Sequence, residues 1–78
     1  MNKQRRQDLE EALNILDDAI DAIQAVCDEE TEAFDSLPEG LQCGSRGDQM
    51  QDAIDTMEDG IAKMQNIKDR LLTKLCKK

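Results

Sequence analysis

The first half of the chain places apolar residues at alternating steps of four and three. The series runs Leu9, Leu13, Leu16, Ile20, Ile23, Cys27 and Phe34, and Glu30 fills the one slot that is not apolar. This spacing is a heptad seam, the pattern of a helix that packs along one stripe, and it differs from the alternation of a strand. It predicts a first helix over about residues 3–34.

The same spacing returns in the second half. Its seam is Met50, Ile54, Met57, Ile61, Met64, Leu71 and Leu75, with Lys68 in one slot. These positions predict a second helix over about residues 48–76. Residues 35–47 hold the only proline and three of the four glycines, which interrupt helices, so we predict a loop there. The expected fold is all-α, an antiparallel helical hairpin that forms a single domain over residues 1–78.

The two seams also predict which residues face each other. Partners have numbers that add to 84: Phe34 with Met50, Cys27 with Met57, Ile23 with Ile61, Ile20 with Met64, Leu13 with Leu71, and Leu9 with Leu75. A charge that is buried alone is costly, so the two charged seam residues need partners. The candidates are Arg46 for Glu30 and Asp17 for Lys68.

A second apolar stripe lies one residue before the seam residues. Its members are Ala12, Ala19, Val26, Ala33, Ala53, Gly60 and Ile67. Three apolar positions in seven make a face wider than two helices cover. We therefore predict a homodimer in which two hairpins form a four-helix bundle. All members except Ala33 are the candidate oligomer interface. The alternative is a monomeric hairpin with a modestly apolar back.

Charge is distributed unevenly along the chain. The net charge is −8, and residues 8–59 hold seventeen of the eighteen acids with Arg46 as their only base. A hairpin brings the two basic ends together and leaves the loop half negative. Asp52, Asp55, Glu58 and Asp59 then form a row that resembles phosphates and suits the basic cleft of a nucleic-acid-handling protein. The alternative is an ordinary solvated helix face.

The loop is longer than a helix-to-helix turn requires, and it carries apolar residues around its proline. One interpretation is a cap, in which Phe34, Leu37, Leu41 and Met50 close the end of the bundle. The other is a binding tip, because function concentrates on ordered loops. The candidate partner contacts at this tip are Phe34, Leu37, Pro38, Glu39, Leu41 and Arg46.

Residues 32–42 read EAFDSLPEGLQ, and Ser45 and Arg46-Gly47 follow before an acidic amphipathic helix. This stretch resembles the hairpin signature EAFDxLPExLQ of an uncharacterised family of small acidic helical-hairpin proteins from bacteriophages and prophages. Ser36 stands where that family usually has asparagine. The resemblance covers about residues 28–60, and it implies a mobile-element origin without implying a chemistry.

No catalytic, cofactor or metal site is expected. The chain has no histidine and no Gly-rich phosphate loop, and helix faces leave its acids solvated. Cys27, Cys43 and Cys76 lack metal-ligand spacing and indicate free thiols in a reducing, cytoplasmic setting, here that of a host cell. Apolar runs are too short to span a membrane.

The expected function is that of a non-enzymatic interaction protein. We expect it to self-associate and to bind a host or phage protein, and inhibition of a nucleic-acid-handling or defence enzyme is a role that fits. Direct nucleic-acid binding is not expected, because the body of the rod is repulsive. Two alternatives stay open: an oligomeric binder of a nucleotide-like anion through the loop and Arg46, and a structural or assembly component.

Overall fold

The computed structural model describes residues 1–75, whose regular secondary structure is entirely helical. Helix α1 spans Lys3–Asp35, α2 spans Glu39–Gln42 and α3 spans Ser45–Leu75. The two long helices pack against each other along an extended rod of 58 × 16 × 14 Å. The predicted all-α hairpin is confirmed.

The seam positions form a narrow core between α1 and α3. The residues that are 5 % exposed or less repeat every seven positions: Leu13, Ile20 and Cys27 on α1, and Ile54 and Ile61 on α3. Partly buried seam residues pack against this core: Leu16, Ile23, Phe34, Met57 and Met64. This pattern is the one expected where each side chain inserts between residues of the facing helix.

Two contacts across the seam fix the register. The Sγ atom of Cys27 lies 4.0 Å from the carbonyl oxygen of Ile54, one helical turn from the predicted partner Met57. Lys68 donates from Nζ to Oδ1 of Asp17 at 2.7 Å. The charged residue at the foot of the seam therefore has the partner that the sequence predicts.

The tip contains more helix than the predicted loop. Helix α1 ends where the amide and the hydroxyl of Ser36 both donate to the carbonyl of Glu32, at 3.0 and 2.9 Å. Pro38 then precedes α2, a single helical turn. Gln42 at the end of that turn donates from Nε2 to the carbonyl of Phe34 at 3.0 Å. The last carbonyls of α1 are thus satisfied by the tip itself.

Helix α3 begins at Ser45, three residues before the predicted start, and includes a glycine expected in the loop. Gly47 is buried. It lies in the first turn of α3, which also contains Asp48. A Cβ atom at position 47 would lie 2.7 Å from the Cα of Gln42 and would clash with its carbonyl. No glycine among residues 1–75 has a positive φ. Gly47 is therefore required by close packing of α2 on α3 and does not act as a helix breaker. The predicted end of this helix at residue 76 lies outside the described residues.

Replacing Gly47 by alanine should destabilise the hairpin by about 1–3 kcal/mol, because the added methyl group overpacks the contact with Gln42. Gly40→Ala is the matched control at the same end of the rod. Its Cβ would meet nothing within 4 Å, so this change should leave stability unchanged or raise it by up to about 1 kcal/mol. Urea unfolding followed by far-ultraviolet circular dichroism measures both. Equal effects would show that the Gln42 contact carries no stability.

Candidate functional site

One flank of the hairpin carries a stripe of heptad positions that hold no acidic residue. In antiparallel packing, the positions just before the fully buried seam residues of α1 lie on the same flank as the equivalent positions of α3. The residues there define what we call the uncharged ribbon: Ala12, Ala19, Val26, Ala33, Ala53, Gly60 and Ile67. Its larger side chains are open to solvent, with Val26 54 % exposed and Ile67 51 % exposed.

The six candidate interface residues all lie on this ribbon. Ala53 and Gly60 are half-buried against α1, and the other four are exposed. Ile15 lies beside the ribbon and is 69 % exposed, the highest value among the large hydrophobic residues. A stripe drawn at one position in seven does not predict it. The feature of the sequence that places Ile15 beside the ribbon is its spacing of three residues from Ala12 and four from Ala19.

A groove lies at each end of the ribbon. The tip groove is lined by Glu30, Ala33, Arg46, Gln49 and Met50, and the foot groove by Ile67, Arg70, Leu71, Lys74 and Leu75. The foot groove has three aliphatic side chains and two cations, whereas the tip groove combines a carboxylate with a guanidinium. Seam spacing does not predict the foot groove, because Arg70 and Lys74 lie off the seam.

Glu30 in the tip groove lacks the partner that the sequence predicts. Among residues 1–75 the ion pairs within 4.0 Å are Lys63–Asp59 at 2.8 Å and Lys68–Asp17 at 2.7 Å. Arg46 is an exposed residue in the first turn of α3 and lines the same groove, but it makes no ion pair with Glu30. The half-buried carboxylate therefore has no cation within ion-pair distance in this part of the chain.

The four candidate acids of α3 are all exposed, away from the uncharged ribbon. Asp52, Asp55, Glu58 and Asp59 follow one another at steps of three, three and one. A step of three or four residues is a rise of about 4.5–6 Å, against 3.4 Å per phosphate along one DNA strand. On α1, exposed acids continue this surface: Asp17, Asp18, Asp21 and Asp28. We call these eight residues the acidic side.

The predicted cap at the tip is formed in part. Phe34 packs against the core and Leu37 is half-buried. Leu41 instead faces solvent, with half of its surface exposed, because α2 turns it away from the rod. Pro38, Glu39 and Arg46 are also exposed. The tip thus joins a half-buried aromatic side chain to a small exposed surface.

The two described thiols differ in environment. Cys27 is 2 % exposed, Cys43 is exposed, and both are free, whereas Cys76 lies outside the described residues. Burial raises the pKa of the Cys27 thiol, and the carboxylates of Glu58 and Asp28 raise it further. A raised pKa and a buried sulfur make Cys27 an unreactive core residue.

Within residues 1–75, no three or more cysteine, aspartate or glutamate side chains are grouped to hold a metal ion. No helix in that part of the chain is long and apolar enough to cross a membrane. The chain matches no protein-family model, no curated protein and no solved structure. The resemblance to phage proteins therefore stays a prediction.

Alkaline pH should destabilise the hairpin in two steps. The raised pKa values of Cys27 and Lys68 mean that the folded chain holds both protons longer than the unfolded chain does. Stability is therefore fully present at neutral pH. Stability falls above about pH 8.5 as the Cys27 thiol loses its proton, and falls further above about pH 10.4 as the Lys68 ammonium loses its proton.

Urea unfolding at pH 7, 9.5 and 11 measures this loss, and Cys27→Val removes the first step while keeping the core filled. The difference between wild type and variant isolates the thiol from all other groups. A variant that loses as much stability as wild type between pH 7 and 9.5 would contradict the assignment to Cys27.

Proposed function

We propose that this chain is a non-catalytic interaction protein, an acidic helical hairpin that self-associates through one flank and binds a basic protein surface through its acidic side. The observation that carries the proposal is the separation of charge around the rod. The uncharged ribbon has exposed apolar side chains and no acid, whereas the acids of the acidic side are all exposed. One surface is suited to burial and the other to a cationic partner.

Self-association is supported by the exposed apolar residues of the ribbon. A contiguous apolar surface marks an interaction site more reliably than single exposed residues do. Val26, Ile67 and the neighbouring Ile15 are each more than half exposed. Two hairpins that join through this flank form a four-helix bundle, cover these side chains and leave the acidic side outside.

The row of exposed acids supports a partner that handles nucleic acid. A basic cleft binds phosphates mainly through charge, so a row of exposed carboxylates competes for the same lysines and arginines. The resemblance to phage proteins implies a host or phage protein as the partner, within the host cytoplasm. The role we propose is inhibition of such a protein by occupation of its cleft.

The small-ligand alternative has less support. Arg46 is the one base of the tip, and its groove also holds the half-buried carboxylate of Glu30. That carboxylate repels an anion at the place where a nucleotide-like ligand would need positive charge. A structural or assembly component would use the same uncharged ribbon as the proposed interaction protein. Capture of a partner through the acidic side is expected of the interaction protein alone and distinguishes it from an assembly component.

Neutralising the four acids of α3 should abolish partner capture from a bacterial lysate. The bait carries Asp52→Asn, Asp55→Asn, Glu58→Gln and Asp59→Asn, and we expect at least about a tenfold loss of captured protein, because several charge contacts are removed together. Wild-type capture should weaken with added salt, and duplex DNA should release the captured protein.

A second quartet at the foot is the matched control, with Asp8→Asn, Glu10→Gln, Glu11→Gln and Asp69→Asn. It changes the net charge by the same amount and should retain capture. Equal loss in both quartets would mean that net charge alone drives binding. Undiminished capture by the first quartet at moderate salt would refute binding through the acidic side.

A further inference from the structure

We propose that two hairpins associate head to tail along the uncharged ribbon, so that the foot groove of each copy receives Glu30 from the tip groove of the other. This inference rests on the proposed self-association and adds its orientation and its pairing residues. Neither groove is complete in one chain. In the tip groove the carboxylate of Glu30 has no cation within ion-pair distance among residues 1–75, and the foot groove has cations beside open apolar surface.

Charge along the rod determines the orientation. Residues 28–59, the tip half, hold eleven acids and one base, whereas residues 1–15 and 63–75, the foot, hold seven bases and four acids. Packed helices lie about 8–10 Å apart, close to the Debye length of about 8 Å at physiological salt, so charges on neighbouring helices still interact. A parallel pair places two negative tips together, whereas a head-to-tail pair places each tip beside a positive foot.

The two grooves match in chemistry. Arg70 and Lys74 line the foot groove around Leu71 and Leu75. Burying the carboxylate of Glu30 at an interface is unfavourable unless a cation and hydrogen-bond donors accompany it. The planar guanidinium of Arg70 supplies the positive charge and the hydrogen-bond donors, and Lys74 adds a second positive charge. The aliphatic floor of the foot groove covers Ala33 and Met50 of the tip groove.

One two-fold axis satisfies the other contacts as well. In the seam register Glu30 of α1 lies at the same height along the rod as Ile54 of α3. If Glu30 of one copy pairs with Arg70 of the other, the two-fold axis lies midway between the heights of Ile54 and Arg70, close to the centre of α3. The residues beside that axis are small, Ala22 and Gly60, and permit close approach of the two copies. The same axis brings Val26 of one copy opposite Ile67 of the other. The largest exposed side chains of the ribbon therefore meet each other.

The contact area is sufficient for a stable dimer. The ribbon runs along a rod 58 Å long and 14 Å wide in its narrowest direction. Overlap along nearly the whole length covers about 800 Å² on each copy, the standard size of a specific interface. A staggered pair joined by the tips alone covers only a fraction of this area.

A charge swap tests the pairing. Glu30→Arg and Arg70→Glu should each raise the dimer dissociation constant at least about tenfold, because a buried charge then faces a like charge. The double variant Glu30→Arg/Arg70→Glu should return to within about threefold of wild type. Asp52→Arg, which changes the charge by the same amount in the same half of the rod, is the control and should shift the constant less than about threefold. Sedimentation equilibrium gives the constants, and circular dichroism checks that each variant is folded.

Spin labels test the orientation without altering either groove. A Cys76→Ser chain labelled at exposed Cys43 carries one label at its tip, since buried Cys27 does not react. In a head-to-tail dimer about this axis the two labels are separated by twice the rise from Cys43 to the level midway between Ile54 and Arg70, roughly 55 Å. In a parallel dimer they lie within about 25 Å, given helix spacings of 8–10 Å. Pulsed dipolar spectroscopy distinguishes these distances.

The outcomes separate this inference from the proposed function. A dimer with the short label distance overturns the head-to-tail order, and a long distance without rescue in the double variant overturns the pairing of Glu30 with Arg70. A chain that stays monomeric overturns self-association and the inference together. A head-to-tail dimer with rescue supports the inference even if capture through the acidic side fails.

Discussion

A single seam between two helices covers one stripe of each helix, and the rest of this structure follows from that limit. The fully buried apolar side chains repeat every seven residues on both α1 and α3, and among residues 1–75 there is no third long helix to cover the flanks. Apolar residues off the seam, such as Val26, Ile15 and Ile67, therefore remain exposed. No acidic residue occupies the heptad positions of the uncharged ribbon. The rod thus has one flank with exposed apolar side chains, whereas its other exposed surfaces are mainly polar and charged.

The two charged seam residues show how differently the ends of the rod are built. Lys68 reaches Asp17 across the seam at 2.7 Å, and this hydrogen bond raises the pKa of the lysine. Glu30, near the tip, has no cation within ion-pair distance among the described residues. A half-buried carboxylate without a cation is unfavourable once water is excluded from it. The Glu30 carboxylate is therefore tolerated while water solvates it. If an interface excludes that water, the carboxylate needs a cation, which the proposed second copy would supply.

The heptad spacing was enough to predict the helices, the seam residues, the register to within one turn and the pairing of Lys68 with Asp17. These features depend on periodicity, which sequence displays directly. Gly47 was assigned to the loop because composition rules report local backbone preference. Its actual role is to admit the backbone of Gln42, a contact between α2 and α3 that no local rule contains. The same reason explains the missed foot groove and the unpaired Arg46, since both depend on where helices end in space. The exposure of the acids and the uncharged ribbon were predictable from the same spacing, whereas the two grooves at the ends of the ribbon required the described geometry.

High negative charge suits the proposed partner and opposes self-association. Each chain carries a net charge of −8, so two copies repel each other unless opposite charges are brought close. The head-to-tail order resolves this conflict, because the positive foot of one copy lies beside the negative tip of the other. It also directs the acidic sides of the two copies outward. A dimer built in this way presents two equivalent surfaces to basic partners, and a partner with two clefts gains from effective concentration without any new contact. In the proposed dimer, the uneven placement of the ten bases along the chain brings opposite charges together despite the eighteen acids.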